Sequence, residues 1–158
     1  MNKILEVQHI EKSYRENKAV NDLSFHVNEG EILGLLGPNG AGKSTTISIL
    51  STILKNDAGK INIFNLPLES HINEIKGQLG IVPQEIAIYE DMTAYRNVAF
   101  FASLYGLKKN QLEERVMNAL AFVGLEDKKN DAPKTFSGGM KRRLNIACAI
   151  AHQPKLLI

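Results

Sequence analysis

Residues 37–44 read Gly-Pro-Asn-Gly-Ala-Gly-Lys-Ser, and this stretch decides the fold. It matches the pattern G-x-x-x-x-G-K-S/T, whose glycines let the backbone curl until successive N–H groups point at a phosphate. Lys43 supplies a mobile cation for the β and γ phosphates, and the Ser44 hydroxyl is a hard oxygen ligand suited to Mg²⁺. The stretch therefore predicts a phosphate cradle that binds a nucleoside triphosphate.

The segments on either side of this loop fit the prediction. Glu31–Leu36 is apolar without alternation, as is a strand buried on both faces of a parallel sheet. A helix is predicted from Lys43 to Leu54, with its apolar residues on one face. Those residues are Ile47, Leu50, Ile53 and Leu54. A glycine-rich turn without a ligand is the alternative, and the residues do not yet choose among a GTPase, a kinase, a helicase and a transporter motor.

Composition narrows the class of protein. The chain has 158 residues, 44% hydrophobic and 23% charged, which is enough for one domain with a core. Its 12 glycines and 5 prolines exclude a collagen-like chain. With 19 basic and 17 acidic residues the net charge is +2, which does not suggest a nucleic-acid binder driven by bulk charge.

The expected location is cytosolic. Cys148 is the single cysteine, so no internal disulfide can form, and a reducing compartment fits best. No apolar run approaches the ~20 residues that span a bilayer. Charge interrupts residues 1–6 too early for a signal peptide. Any link to a membrane is therefore expected to come through a partner.

The rest of the chain is predicted to hold strands first and helices later. Strands are expected at Ile4–Ile10, Leu23–Val27, Lys60–Phe64 and Leu79–Val82, the last stopped by Pro83. Helices are expected from an Asp91 or Thr93 cap to Tyr105, from an Asn110 cap to Gly124, and from a Ser137 cap to His152.

Ser137-Gly138-Gly139 forms a second candidate anion site. A serine at a helix start offers its hydroxyl, two glycines leave the backbone N–H groups unshielded, and the helix dipole favours negative charge. Alone, such a sequence often only caps a helix. In the same chain as the phosphate loop it becomes a strong signal.

These residues together resemble one family. Phe136–Met140 resembles the signature motif of ATP-binding-cassette (ABC) ATPases, usually L-S-G-G-Q. Val82–Glu85 resembles the Q-loop of that family, and Lys12–Tyr14 resembles its aromatic A-loop. The resemblance covers the whole chain. It implies an α/β fold, with a P-loop NTPase core, an antiparallel β subdomain and an inserted α-helical subdomain, in which the C-terminal part of the sheet is missing.

The resemblance also implies roles for individual residues. Tyr14 would stack on adenine, residues 37–45 would form the Walker A cradle, and Ser137–Gly139 would reach the γ-phosphate on another subunit. Gln84 would contact Mg²⁺ or the attacking water. The implied catalytic residues are Lys43, Gln84 and Ser137, and the implied ligands of Mg²⁺ are Ser44 and Gln84. The implied ATP-binding set is Tyr14, Gly37, Pro38, Asn39, Gly40, Ala41, Gly42, Lys43, Ser44, Thr45, Gln84, Ser137, Gly138 and Gly139.

The implied partners are ATP, Mg²⁺, a second nucleotide-binding subunit in a head-to-tail dimer, and an integral membrane permease; no nucleic acid is expected. The chain would lie on the cytoplasmic face of the membrane through the permease. Phe136 and Met140 depart from the usual Leu and Gln, and Met140 lacks the amide of that Gln. The form S-G-G-M-K-R-R is familiar in export-type members, which favours an exporter of drugs, peptides or lipids.

Lys155–Ile158 resembles the first half of Walker B. The resemblance therefore predicts one incomplete domain over 1–158. Its parts are a β subdomain and P-loop core in 1–84, a helical subdomain with the signature helix in 85–152, and the start of the Walker B strand in 153–158. The Walker B Asp, the catalytic Glu, the D-loop and the switch His are not in this sequence. We accordingly expect weak ATP binding and hardly any turnover from the chain alone.

Two other functions remain open on the sequence. One is a soluble ABC ATPase of translation or DNA repair, although the repair type carries a long coiled-coil insertion where this chain has only helix-sized segments. The other is a non-catalytic nucleotide-binding fragment.

The remaining candidates have ordinary interpretations. The histidines show no metal-ligand spacing and are read as surface or structural: His9, His26, His71 and His152. Cys148 is read as a small buried hydrophobe. Lys141–Arg143 is read as a solvated basic face, with phosphate binding as the alternative. Val98–Tyr105 is read as packing between helices, with a docking patch for a membrane-domain helix as the alternative.

Overall fold

The computed structural model describes residues 2–158. Within them, an antiparallel sheet holds four strands in the order β2-β1-β3-β4. The strands are β1 Lys3–Tyr14, β2 Asn17–Asn28, β3 Ala58–Ile63 and β4 Leu66–Pro67. A second, parallel pair joins β5 Leu79–Gly80 to β6 Leu156–Leu157. The helices are α1 Lys43–Leu50, α2 Ile72–Lys76, α3 Ala94–Ser103, α4 Lys109–Phe122 and α5 Gly138–Ile150, with 3-10 turns at Glu126–Lys128 and Pro133–Thr135.

The chain divides into two compact units. One runs to Gly77 and includes Ile158, and the other spans Gln78–Leu157. The first holds the antiparallel sheet with α1 and α2, and the second holds α3 to α5 with the short parallel pair. No helix in residues 2–158 is long and apolar enough to cross a bilayer.

The antiparallel sheet buries the residues that the alternating pattern places on one face. Leu5, Val7 and Ile10 of β1 are buried, together with Ile61 and Ile63 of β3. The register between β1 and β2 shifts after Val7. His9 and Asp22, on facing strands at that irregularity, both have positive φ, of 50°. The shift keeps Ile10 on the buried face, because an added residue in a strand otherwise reverses which side its neighbours face.

The helical unit has one apolar core. Its buried members include Val98 and Ala102 of α3, Val116 and Leu120 of α4, and Leu144 of α5. The two members on α3 and the two on α4 are each four residues apart, the spacing of one helix face. The helices predicted in the stretches of α4 and α5 are thus confirmed, and Ser137 caps α5 as expected.

The prediction of a buried strand at Glu31–Leu36 is wrong for this structure. Residues 31–38 lie outside the strands, and the side chains of Ile32 and Leu36 are 99% and 96% exposed. A strand buried on both faces needs hydrogen-bonded neighbours and helices on both sides. In the described residues neither sheet includes this segment, so its apolar side chains face solvent.

Two helix boundaries also differ from the prediction. Helix α1 ends at Leu50 and not at Leu54, because Thr52 has a φ of 64° and turns the chain out of the helix. Ile53 is therefore exposed, and the predicted four-residue apolar face does not form. Helix α4 is capped at Lys108, so Asn110 lies inside its first turn and is not the cap.

Candidate nucleotide-binding site

The phosphate loop, residues 37–42, leads directly into α1. Gly40 and Gly42 have φ values of 85° and 81°, a left-handed conformation that glycine adopts without steric cost. At Gly42 a Cβ would lie 2.2 Å from the carbonyl oxygen of Ala19 in β2. Only glycine fits there, and the loop is consequently seated against the hairpin of β1 and β2.

The first turn of α1 offers backbone donors. The first helical bonds run to the Gly42 carbonyl, from the Thr46 N–H at 2.8 Å and the Thr46 hydroxyl at 2.9 Å. The N–H groups of Lys43, Ser44 and Thr45 precede these bonds, and such groups at a helix start have no intrahelical acceptor. With the helix dipole they make an environment suited to an anion.

The Lys43 side chain folds back across the loop. Its Nζ donates to the carbonyl oxygens of Gly37 at 2.7 Å and Pro38 at 2.8 Å. The ammonium group is thus held at the start of the phosphate loop, whose amides would surround a phosphate. A phosphate oxygen attracts the ammonium group more strongly than a neutral carbonyl does, because it carries a negative charge of its own. The residues present therefore fit a polyphosphate.

Tyr14 lies at the end of β1, on the same hairpin that carries Ala19, and its side chain is 50% exposed. Asp57 fixes this strand end: one carboxylate oxygen accepts from Lys12 Nζ at 2.5 Å and the other from the Ser13 N–H at 2.8 Å. These two bonds, the Lys12 contact first, hold the pKa of the Asp57 carboxyl below its usual value. The loop that follows α1 thereby sets the path of the chain next to Tyr14.

Gln84 lies in the second unit, exposed, on the irregular segment between β5 and α3. Two buried asparagines hold that segment, and sequence reasoning missed both. Asn97, 0% exposed, bonds main-chain atoms of Tyr89, Met92 and Thr93. Asn145 bonds main-chain atoms nearer Gln84. The available signal was an amide at an apolar position of a helix, since a buried polar group needs partners.

The signature segment forms the start of α5. Ser137 Oγ accepts from the Met140 N–H at 3.3 Å, which leaves the hydroxyl hydrogen free to donate to an anion. A Cβ added at Gly138 or Gly139 would meet nothing within 4 Å, so this helix end is open to a close approach. Phe136 is buried in the helical core and anchors the segment there.

The interpretation of Lys141–Arg143 as a solvated basic face is incomplete: Arg143 is exposed, but all three side chains also bind protein groups. Lys141 Nζ pairs with Glu90, and Arg142 donates to the main chain beside Gln84. Arg143 donates to the carbonyls that end α4. All three cations bind other parts of the helical unit, because early positions of α5 face the segments that precede α3 and follow α4.

The remaining candidates behave as small structural groups. Cys148 is buried, and desolvation raises the pKa of its thiol to about 12. His152 stacks on Tyr105, with ring centroids 3.5 Å apart, and its Nε2 lies 2.9 Å from the Leu79 carbonyl. Burial lowers the pKa of His152. Because a carbonyl oxygen can only accept, Nε2 is the donor in its contact with Leu79. Among residues 2–158 no group of three acidic, His or Cys side chains is placed to hold a metal.

The predicted apolar helix is buried on one side and exposed on the other, so its packing is confirmed and the docking patch stays a prediction. Val98 and Ala102 are buried in the helical core, whereas Leu104 is 66% exposed. Phe101 and Tyr105 line a shallow apolar cleft together with Ile81, Pro83, Ala87, Asn145, Cys148 and Ala149. The cleft thus lies beside the segment that carries Gln84.

A comparison with protein families decides the identity of this arrangement. Residues 20–158 match the family model described as ABC transporter, and this span contains the phosphate loop, Gln84 and the signature segment. The chain belongs to the ABC transporter family. Its fold is the mixed α/β fold of an ABC ATP-binding subunit.

Curated ABC relatives include ATP-binding proteins of export systems. The chain is 44% identical over 155 residues to the linearmycin resistance ATP-binding protein LnrL of Bacillus subtilis, covering 98% of this chain and 50% of LnrL. It is 38% identical over 154 residues to the Nod factor export ATP-binding protein I of Sinorhizobium fredii, covering 98% and 45%. This chain thus spans about half the length of the curated relatives it matches.

Solved ABC structures have the same fold. An ATP-binding subunit of an ABC transporter superposes with a TM-score of 0.84 at 32% identity, covering 98% of this chain and 64% of that one. CbiO1 of Clostridium perfringens, part of the ABC transporter complex CbiONQ, gives a TM-score of 0.90 at 30% identity, covering 99% and 64%.

Proposed function

We propose that the chain is the ATP-binding part of an export-type ABC ATPase. The complete protein would hydrolyse MgATP and drive transport through a separate membrane permease, on the cytoplasmic side of the membrane. The observation that carries this proposal is the phosphate loop: left-handed glycines, the open first turn of α1, and Lys43 Nζ held on the carbonyls of Gly37 and Pro38.

Binding would proceed by replacement of these internal contacts. Lys43 Nζ would leave the two carbonyls for the β- and γ-phosphate oxygens, while the N–H groups of residues 43–45 donate to phosphate. Tyr14, exposed at the end of β1, would stack on adenine. Positioning and charge stabilisation of this kind supply most of the catalysis in phosphoryl transfer.

Magnesium would be held by hard oxygen ligands, the kind that it prefers. Ser44, exposed in the first turn of α1, would supply a hydroxyl oxygen, and the family resemblance adds the amide oxygen of Gln84, exposed on its own loop. When bound, Mg²⁺ neutralises charge on the phosphate oxygens. Gln84 would additionally orient the attacking water, and the Ser137 hydroxyl with the Gly138 and Gly139 amides would donate to the γ-phosphate held by a second subunit.

Export is favoured by the relatives, since both the linearmycin resistance and the Nod factor protein are named for export or resistance. The docking site for the permease would be the apolar cleft between α3 and α5, where Phe101 and Tyr105 lie near the Gln84 loop. This placement would let movement of a membrane-domain helix reach the Gln84 loop.

Calorimetric titration of the 158-residue chain with MgATP tests the proposal. Lys43→Ala should lose one or two charge-assisted bonds of about 1.5–3 kcal/mol each, which weakens binding at least tenfold. Lys55→Ala is the matched control, because Lys55 is an exposed lysine of the same unit that pairs with Glu69 at 3.7 Å. Equal affinity of the Lys43 and Lys55 variants, or no ATP binding by the unaltered chain, would contradict the proposal.

A further inference from the structure

Two side chains of α5 hold the main chain on both sides of Gln84. Arg142 Nη1 donates to the Pro83 carbonyl at 2.5 Å and to the Gln84 carbonyl at 3.1 Å. Asn145 Nδ2 donates to the Pro83 carbonyl at 3.4 Å, and its Oδ1 accepts from the Ala87 N–H at 3.2 Å. The backbone from 83 to 87 is thus bonded at three places to one helix.

Asn145 is a buried amide whose hydrogen-bond partners all belong to the Gln84 segment. The residue is 2% exposed, on a helix whose Leu144, Ala147 and Cys148 belong to the helical core. An amide removed from water costs free energy unless its donor and acceptor find partners. Here both polar atoms of the amide are satisfied by the segment that contains Gln84. An apolar residue at this position would leave the Ala87 N–H without that acceptor.

Arg142 and Asn145 bind the main chain around Gln84 and leave the Gln84 side chain without a hydrogen bond from either of them. Arg142 and Asn145 are three residues apart, so they lie on the same face of α5. Both contact main-chain atoms, and the Pro83 carbonyl uses both of its lone pairs. The Gln84 side chain itself is exposed. This arrangement fixes the origin and direction of that side chain without occupying its amide.

We infer that Arg142 and Asn145 are positioning residues for Gln84, fixing its loop to the helix that begins with the signature residues Ser137–Gly139. Arg142 lies five residues after Ser137, roughly 7 Å along the helix axis. A displacement of the signature end would therefore carry the Gln84 backbone with it. The inference rests on the proposed function, since it assigns Gln84 to the MgATP site.

Hydrogen exchange of the nucleotide-free chain tests the attachment itself. Arg142→Ala and Asn145→Ala should speed exchange of the amides of residues 84–89 by roughly threefold to tenfold, the effect of losing one ordinary hydrogen bond. Arg143→Ala is the matched control, because Arg143 is the adjacent arginine and donates to the carbonyls of Val123 and Gly124 at the end of α4. It should leave residues 84–89 unchanged and speed exchange near residue 124.

A nucleotide titration tests the consequence for Gln84. The affinity for ATP is measured with Mg²⁺ and again in excess EDTA, and the ratio is the gain due to Mg²⁺. Arg142→Ala should reduce this gain several-fold while the affinity in EDTA stays within twofold of the unaltered chain. Arg142→Lys, which keeps a cation able to reach one carbonyl, should recover part of the gain. A loss of general stability would instead weaken binding equally in both conditions.

The outcomes separate cleanly. Faster exchange with a reduced Mg²⁺ gain, both absent in Arg143→Ala, supports the inference. Unchanged exchange in Arg142→Ala overturns it, and so does faster exchange with an unaltered Mg²⁺ gain. If Asn145→Ala does not fold, Arg142→Ala and Arg142→Lys decide. If the unaltered chain binds no ATP at all, the proposed function fails, while the exchange data still decide whether α5 holds the Gln84 loop.

Discussion

A single missing carbon atom at Gly42 determines how the phosphate loop sits. A Cβ there would lie 2.2 Å from the Ala19 carbonyl oxygen, and the φ of 81° is unfavourable for any other residue. Gly42→Ala should lower the free energy of unfolding by at least about 1–3 kcal/mol, the usual cost of one strained backbone position. Urea unfolding of the chain, followed by circular dichroism, measures the change.

Gly40→Ala provides the control for this experiment. Gly40 has nearly the same φ, 85°, yet a Cβ there would meet nothing within 4 Å. Gly40→Ala should therefore lose only the free energy that the unfavourable positive φ costs. The difference in the free energy of unfolding between the two variants then measures the contact with Ala19. Equal losses from both would mean that the loop is not packed on β2.

Lys43 and Ser137 illustrate what residue identity alone predicts. The two motifs place a lysine at the first position of one helix and a serine at the cap of another, and the structure has both there. The roles of Tyr14, Gln84 and Ser137 toward ATP stay predictions. Arg142 was misread because its partners are main-chain carbonyls of a segment about sixty residues earlier, and residue spacing carries no record of such a contact.

Among the elements, those stabilised by local signals were predicted and those that need distant neighbours were not. Helix α5 has a cap, an apolar stripe and a length that all lie within one stretch of sequence. The segment Glu31–Leu36 has the composition of a central strand, but a strand exists only where another strand bonds to it. Because strand formation at Glu31–Leu36 depends on hydrogen-bond partners elsewhere in the fold, the composition of the segment alone could not predict it.

His152 links three elements and makes the helical unit sensitive to acid. It lies two residues after α5, stacks on Tyr105 after α3, and donates to the Leu79 carbonyl of β5. Burial lowers its pKa in the folded chain below the ordinary value of 6.5, an effect partly offset by the Leu79 contact. In the unfolded chain the ring binds a proton more readily, so acid favours unfolding.

The lowered pKa of His152 predicts a specific pH dependence. Its contribution to the free energy of unfolding is fully present above about pH 6.5 and is lost as the pH falls through the pKa of the folded state. His152→Gln keeps an N–H donor without the titration, so its thermal midpoint should fall less than that of the unaltered chain between about pH 7.5 and 5.5. His26→Gln, on the exposed face of β2, should retain the original dependence. An identical decline in all three proteins would exclude His152 as the cause.

At the scale of the whole molecule, the chain presents a run of apolar side chains to solvent. Ile32 and Leu36 are almost fully exposed and Leu33 is 43% exposed, all within five residues of the phosphate loop. Contiguous exposed apolar surface promotes association between molecules, whereas isolated apolar side chains are common on protein surfaces. We therefore expect the 158-residue chain to bind hydrophobic dyes and to self-associate through this run.

The double variant Ile32→Asn with Leu36→Asn tests this expectation by dye fluorescence and sedimentation velocity. Both signals should fall, and the free energy of unfolding should change by no more than about 0.5 kcal/mol, because neither side chain is buried. Phe122→Asn is the matched control: Phe122 is 78% exposed but stands at the end of α4, away from the run in sequence. A double variant that unfolds would mean that residues 32–36 are packed in solution, since only a buried strand loses stability when its apolar side chains become polar.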